Sequence, residues 1–420
     1  MEAEAQAAPA TVTFSDRTAT ALAALQVRDF RLLWLNSFSF FIGRGMQMVT
    51  VSWLVLHLTD SPSLVGLALF VQGAPMALFS LAAGIGADRL DRRTLLIVSQ
   101  LASASMTAIL ATLTLTGTES TWMVFVLAFG MGTAMALGQP SRQAVIPSLV
   151  EPERLLNAVV LNSIVLNLSF VVGPALAGGL LASLDFGGTF LVQTGVLVAG
   201  LLPLLVMRAP PPERRQGTTS IMSDLREGLA YIAGSDLLRS LFVVTAFTGI
   251  FFVGTYQAVL PVFARDVLDV GPTGFGFLSG ALGLGMLGGS IFIATRGDME
   301  RKGEVLLWSL LIGSAVFFAF AVSRWYAVSL LTMLAWGFGG AFFMNLTMAM
   351  IQSHTRDRLM GRVMSVQALA FFGVSPLGNL EAGVLAEAIG APATTTIGAA
   401  AVGLMALALL VRQPELRAAR

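Results

Sequence analysis

The sequence predicts an all-α membrane protein whose twelve transmembrane helices form two six-helix bundles. Three observations carry that prediction. Of the 420 residues, 55% are hydrophobic and only 12% charged, with a mean hydropathy of +0.80, whereas an ordinary soluble domain is roughly 25% charged. So few charges cannot cover a water-soluble globule of this size. Apolar runs then recur at 31–56, 64–87, 94–116, 121–141, 156–183, 189–207, 238–263, 273–295, 304–323, 325–350, 360–386 and 391–411, each close to the about 20 residues that a helical span needs. Finally, the two halves repeat at an offset of about 210 residues. Phe40-Phe41-Ile42-Gly43 recurs as Phe251-Phe252-Val253-Gly254, Pro62 as Pro272, and Asp91-Arg92-Arg93 as Glu300-Arg301-Lys302. Several matches in one order point to duplication of a six-helix unit in parallel orientation.

Taken in order, residues 1–30 have no apolar core of signal-peptide type and read as a cytosolic tail. Spans one to six occupy 31–208. The interval 209–237 opens on Pro210-Pro211-Pro212 and carries Glu213, Arg214 and Arg215, the composition of a linker. Within it Ile221, Leu225, Leu229 and Ile232 recur at helical spacing, which predicts a short amphipathic helix at the membrane surface. Spans seven to twelve occupy 238–411, with a break at 323–325 between nine and ten, and residues 412–420 form a second tail. Orientation follows from the 25 Lys and Arg. Arg265 and Arg324 fall on one set of loops and Arg44 inside span one. All the others, Arg142 included, fall on the tails and the opposite loops. Basic residues stay on the cytoplasmic side, so both termini are expected in the cytoplasm of a multi-pass protein of the cytoplasmic membrane.

Composition also excludes chemistry. There is no cysteine, hence no disulfide and no thiolate metal site. His57 and His354 lie near helix ends, no His-Glu-x-x-His run occurs, and no glycine-rich phosphate loop follows a strand. No catalytic residue, metal or cofactor is expected, and a net charge of +1 gives no reason to expect nucleic acid as a partner.

The loop after span two, Gly84-Ile85-Gly86-Ala87-Asp88-Arg89-Leu90-Asp91-Arg92-Arg93, resembles the Gly-x-x-x-Asp-Arg-x-x-Arg-Arg signature of the major facilitator superfamily, and the likeness covers nearly the whole chain. Glycine lets helix backbones approach closely, and an aspartate can meet a helix N-terminus. The resemblance implies that Gly84, Asp88, Arg89, Arg92 and Arg93 form a conformational latch for the outward-open state. In the second half Gly297 stands where Asp88 would be, so that copy is degraded. Gly173-Pro174-Ala175-Leu176-Ala177-Gly178-Gly179 in span five is similar to the glycine-proline motif of the antiporters and exporters, with Gly173, Pro174 and Gly178 as packing and kink positions. Gln139-Pro140-Ser141-Arg142-Gln143, Asn157 and Asn162, with Arg358 to Ser365, most resemble the bacterial subgroup of siderophore and macrolide exporters.

Inside the membrane, Arg44 sits at the middle of span one, where an arginine costs about 2.5 kcal/mol or more unless it faces protein or water. Ser37, Arg44 and Gln47 share one helical stripe, and the guanidinium offers a fork to an anionic or carbonyl-rich group; an arginine satisfied by carbonyls or a structural carboxylate is the alternative. Thr248, Tyr256 and Gln257 in span seven and Trp336 and Asn345 in span ten complete the candidate substrate site, with Met131 and Met135 in span four as polarizable neighbours. Glu381 in span eleven is the clearest carboxylate within an apolar run and the candidate for proton coupling. The expected function is export of an amphiphilic small molecule, a drug or siderophore-like metabolite, by proton antiport and alternating access. Proton-coupled or facilitative uptake and a non-transporting sensor are the alternatives. Substrate, protons and membrane lipids are the expected partners of a monomer.

Overall fold

Tight left-handed turns mark one face of the molecule. In the computed structural model, which describes residues 23–89, 91–208, 221–296 and 299–419 (for 80–89, Ile221, Met222 and Asp224 the backbone alone), Asp60, Gly117, Asp185, Asp269, Gly271 and Gly390 adopt positive φ. All six lie where one span turns back into the next on the side away from the termini, hereafter the far face. Asp60 and Gly117 are in the left-handed helical region that aspartate and glycine tolerate, whereas Asp185 and Gly390 combine positive φ with extended ψ. The opposite, terminal face uses side-chain caps instead: Asp91 accepts from the Thr94 N–H, and Ser235 from that of Leu238.

Between these turns run α1 (Arg28–Thr59), α2 (Pro62–Arg89), α3 (Arg92–Thr116) and α4 (Thr121–Leu149). Residues Pro152–Val206 form two helices, α5 and α6, on either side of Asp185, whose φ of 55° and ψ of −169° break the helical path. A short helix α7 (Ile221–Ala233) precedes α8 (Asp236–Val267), α9 (Gly271–Arg296), α10 (Lys302–Val322), α11 (Tyr326–Ser353), α12 (Asp357–Ile389) and α13 (Ala391–Arg412). Among the described residues, eleven continuous helices are long and apolar enough to cross a membrane. Because one of them is the α5–α6 pair, they make twelve crossings. Within α8 and α12, π turns at Gly249–Gly254, Phe263–Val267 and Leu369–Gly373 widen the helix, a form often found at functional positions.

The packing repeats between halves. In the first half α2 packs on α4, α3 on α4, and α3 on α6; in the second α9 packs on α11, α10 on α11, and α10 on α13. The halves then meet through two equivalent crossings, α5 with α9 and α12 with α2. Glycine makes both possible. A Cβ on Gly178 would lie 2.5 Å from the Pro272 carbonyl oxygen and 3.0 Å from the Gly276 Cα, and one on Gly383 would lie 2.8 Å from both the Pro62 carbonyl oxygen and the Gly66 Cα. Small residues at such contacts let helices associate where lipid supplies no hydrophobic drive.

One expectation needs correction, and the described parts of both tails make contacts beyond those expected. Arg142 is not a loop residue: α4 continues past Pro140 to Leu149 and buries it. The end of the first tail is not loose, because Ala24 is buried and its N–H donates to Asn157 Oδ1 at 3.1 Å. The second tail turns back as a helix over Pro414–Ala418, and the Ala419 carbonyl accepts from the Gly303 N–H at 3.2 Å. Short apolar segments, Ala24 and Leu416, are thereby covered instead of exposed at the membrane edge.

Candidate functional site

α1 and α4 run antiparallel, and polar side chains on their shared seam form a ladder. Near the middle of the membrane the Gln47 Nε2 donates to Met131 Sδ at 2.8 Å, and the Arg44 guanidinium touches the Met135 sulfur. Two turns nearer the terminal face the Arg142 Nη1 donates to Asn36 Oδ1 at 2.6 Å and to Ser37 Oγ at 2.9 Å. The spacing is what antiparallel helices require: 37, 44 and 47 ascend one helix while 142, 135 and 131 descend the other. Arg44 and Gln47 keep partial exposure although α1 is enclosed by α4, α5 and α6 of its own half and by α8 and α9 at its far end. α4 has no extensive contact with the second half, so this exposure opens into the space between the halves.

Arg142 is only 1% exposed. Its guanidinium lies 4.4 Å from the Phe40 ring centroid, a cation–π contact, while Nε and Nη2 meet no acceptor among the described residues. Asn36, its partner, donates to Gln100 Oε1 at 2.6 Å and to the Gly200 carbonyl at 2.8 Å, and Gln100 donates to the Leu197 carbonyl at 2.8 Å. One polar network thus ties α1, α3, α4 and α6. Sequence reasoning missed Arg142 because a basic residue just past an apolar run satisfies the positive-inside rule. The signal that could have found it is the set Asn36, Ser37 and Gln100, three hydrogen-bonding residues inside apolar runs that need a buried partner.

The second-half candidates separate. Trp336 and Tyr256, each 8% exposed, belong to an aromatic cluster joining α8, α10 and α11. Trp336 stacks on Phe317 at 4.5 Å and meets Phe252 edge-on at 5.4 Å, with Tyr256 at 5.6 Å. Thr248 spends its hydroxyl on the Val244 carbonyl of its own helix at 2.7 Å. Gln257 accepts from Asn379 at 3.3 Å, and Asn345, exposed, donates to Ser290 and to the Ala341 carbonyl. Glu381 is half-buried, shares a helical face with the exposed Leu377 and Val384, and accepts no hydrogen bond among the described residues. The structure therefore brings Ser37, Arg44 and Gln47 together along one seam, and leaves Asn345 and Glu381 apart from it.

The side chains of Gly84, Asp88 and Arg89 lie outside the described residues. Arg92 and Arg93 bond within the first half: Arg92 Nη1 donates to the Ala144 carbonyl at 2.9 Å, and Arg93 caps the end of α6 at the Leu204 and Leu205 carbonyls, at 2.8 and 2.6 Å. A cation on the last carbonyls of a helix is favourable. Gly173 backs onto Gly45 of α1, where a Cβ would lie 2.8 Å from the Gly45 Cα, while the Pro174 carbonyl and Gly178 face Gly276 of α9.

The far face carries the polar contacts between halves. Arg265 pairs with Asp60 at 2.7 Å and with Asp266 at 2.5 Å, and Glu387 accepts from the Ser61 hydroxyl at 2.5 Å and the Ser63 N–H at 3.0 Å. The closest backbone approaches follow from there to mid-membrane, at Gly66 with Gly383 and Gly178 with Gly276, and then where Gly73 faces Pro376 and Gly283 faces Phe170.

Two repeated six-helix halves, joined along one membrane face around a midplane polar seam, define a major facilitator transporter. Residues 19–420 match the family described as transmembrane secretion effector, and the chain belongs to that family. It is therefore a multi-pass membrane transporter and not an enzyme. It is 28% identical over 363 residues to the multidrug efflux pump Tap of Mycolicibacterium fortuitum, covering 84% of this chain and 88% of that one. To the enterobactin exporter EntS of Shigella boydii serotype 4 it is 24% identical over 396 residues, covering 92% and 93%. Among solved structures, a variant of the nucleoside transporter NupG superposes with a TM-score of 0.74 at 14% identity, covering 91% of this chain and 98% of that chain. A POT family transporter in complex with 5-aminolevulinic acid gives a TM-score of 0.73 at 15% identity, covering 94% and 96%. Those two show the shared fold.

Proposed function

We propose that this protein exports amphiphilic small molecules, of drug or siderophore-like type, across the cytoplasmic membrane by proton-driven alternating access. The observation that carries the reading is its likeness, over most of both chains, to a multidrug efflux pump and an enterobactin exporter. The geometry is compatible with it. If the termini are cytoplasmic, as the basic residues favour, the halves are joined at the outer face, and the Arg44–Gln47 seam is reached from the cytoplasm, where an exporter loads. The halves, 31–208 and 238–411, would rock about the seam, with the loop around Asp88 latching the opposite state. Arg44 and Gln47 are the proposed binding residues of the first half, with the buried Ser37 positioned behind them by Arg142, and Gln257 with the rims of Tyr256 and Trp336 are those proposed for the second; Thr248 and Asn345 are left out of the site. Glu381 is the proposed proton carrier.

The test is transport in inside-out membrane vesicles with a pH gradient imposed in either direction. Export predicts accumulation inside these vesicles when their lumen is acidic, and Glu381→Gln should abolish accumulation while exchange across the membrane continues. Accumulation only in right-side-out vesicles would replace export by uptake. Full proton-driven transport by Glu381→Gln would place coupling elsewhere.

A further inference from the structure

We infer that the transported molecule is bound as an anion, at a site whose positive charge is supplied by Arg44 and reinforced from behind by Arg142. The inference rests on the export reading only for the location of the site and deepens it by naming the charge class of the substrate. Two guanidiniums lie on the α1–α4 seam, one at mid-membrane and one about 10 Å further along the axis, seven residues at the helical rise. Among the described residues neither meets a carboxylate. The one polar contact of Arg44 among the described residues is the Met135 sulfur, and Arg142 holds Asn36 and Ser37, both neutral, while its Nε and Nη2 find no acceptor there in a fully enclosed position. The described carboxylates lie in turns, at the ends of the spans or, for Glu227, on the linker helix α7, apart from Glu381, which stands on the second half on the face of Leu377 and Val384. A buried charge is normally paired, and among the described residues no carboxylate pairs with either arginine.

A positive seam without counter-ion repels a cationic substrate and leaves a neutral one to compete with an uncompensated charge. An anion entering between the halves neutralises it. Gln47 adds a donor beside Arg44, and the half-buried Met135 supplies polarizable surface for an apolar body, with the buried Met131 behind Gln47. The fork geometry of Arg44 suits the oxygen pair of a carboxylate or sulfonate. Because Arg142 is enclosed, it acts on the ligand through its field, strengthened by low-dielectric surroundings, and not by contact.

The experiment uses two dyes with one xanthene core and opposite charge, 5-carboxyfluorescein and rhodamine 123, and the purified full chain in nanodiscs of neutral phosphatidylcholine, with empty nanodiscs as control. Fluorescence anisotropy should give carboxyfluorescein at least tenfold tighter binding. Arg44→Gln should remove that preference, and Arg44→Lys, which keeps the charge but not the fork, should retain it with weaker affinity. Equal or tighter binding of rhodamine 123, binding of neither dye, or an anion preference that survives Arg44→Gln would overturn the inference. Dye movement in inside-out vesicles separates it from the export reading. Anion-selective binding with transport only inward defeats export and leaves the charge class standing, whereas export of the cationic dye alone does the reverse.

Discussion

Asn36 shows how one neutral residue holds a charge inside the membrane. It accepts from Arg142 and donates to Gln100 and to the Gly200 carbonyl, so each of its side-chain atoms is committed. Asn36→Ala strands the guanidinium and the carbonyl, and leaving a buried polar group unpaired costs about 1–3 kcal/mol. Thermal unfolding in detergent should show a clearly lowered midpoint, and an unchanged midpoint would show that water replaces Asn36. Trp336 and Thr248 illustrate the opposite case. Trp336→Ala removes the centre of an aromatic cluster and should destabilise the second half by about 3–5 kcal/mol, seen as loss of folded protein on size exclusion. Thr248→Ala deletes a hydroxyl already spent on its own helix and should leave both stability and substrate affinity unchanged. Sequence marked Trp336 and Thr248 as equal candidates because both are polar-tipped residues in apolar runs. Which atoms were already used was decided by neighbours far away in the chain.

Among the helices, function depends on close crossings. α5 meets α9 at Gly178 and Gly276, and α12 meets α2 at Gly383 and Gly66, two copies of one contact produced by the internal repeat. Gly178→Leu drives a side chain into the α9 backbone, so the helices must separate, at a cost of about 1–3 kcal/mol for overpacking. The expected result is a protein that inserts and purifies normally but transports at less than a tenth of the native rate, measured by dye movement in proteoliposomes. Native transport would mean that the halves do not rely on this crossing. The linker helix α7 is attached differently: Glu227 pairs with Arg362 and lies 3.7 Å from Arg358, and the Tyr231 hydroxyl donates to the His354 carbonyl. The periodicity of Ile221, Leu225, Leu229 and Ile232 predicted this helix. Its docking on the start of α12, with Ile232 buried and Leu229 exposed, required the folded second half.

For the whole molecule, the predicted orientation and the far-face closure can be checked together. Single cysteines in this cysteine-free chain at Thr118 and Arg324, both exposed on the far face, should label from outside intact cells, and those at Thr295 and Glu415 only after permeabilisation. Reversed labelling would invert the topology. The Asp60–Arg265 pair and the Glu387 contacts are largely exposed, and exposed pairs contribute about 0–1 kcal/mol. Arg265→Gln should therefore change accessibility of a mid-membrane cysteine at Gln47 from outside by only a few-fold. A change of a hundredfold would make these pairs, and not the glycine crossings, the principal closure of the far face.

By itself the sequence determined that this chain is a twelve-helix membrane protein of duplicated halves, because apolar length, basic asymmetry and the internal repeat are properties of composition and spacing. It also placed Arg44 at mid-membrane, since depth along a span is counted in residues. It could not determine that Arg142 is buried with Asn36 and Ser37, nor that Arg93 caps α6. Basic residues near span ends obey the same rule whether they face water or turn inward, and only the neighbouring helix decides. The separation of Glu381 from the arginine seam is likewise tertiary: a carboxylate in an apolar run has a depth in sequence, but the direction it faces, and hence which charges it can meet, is set by how α12 packs on α2 and α8.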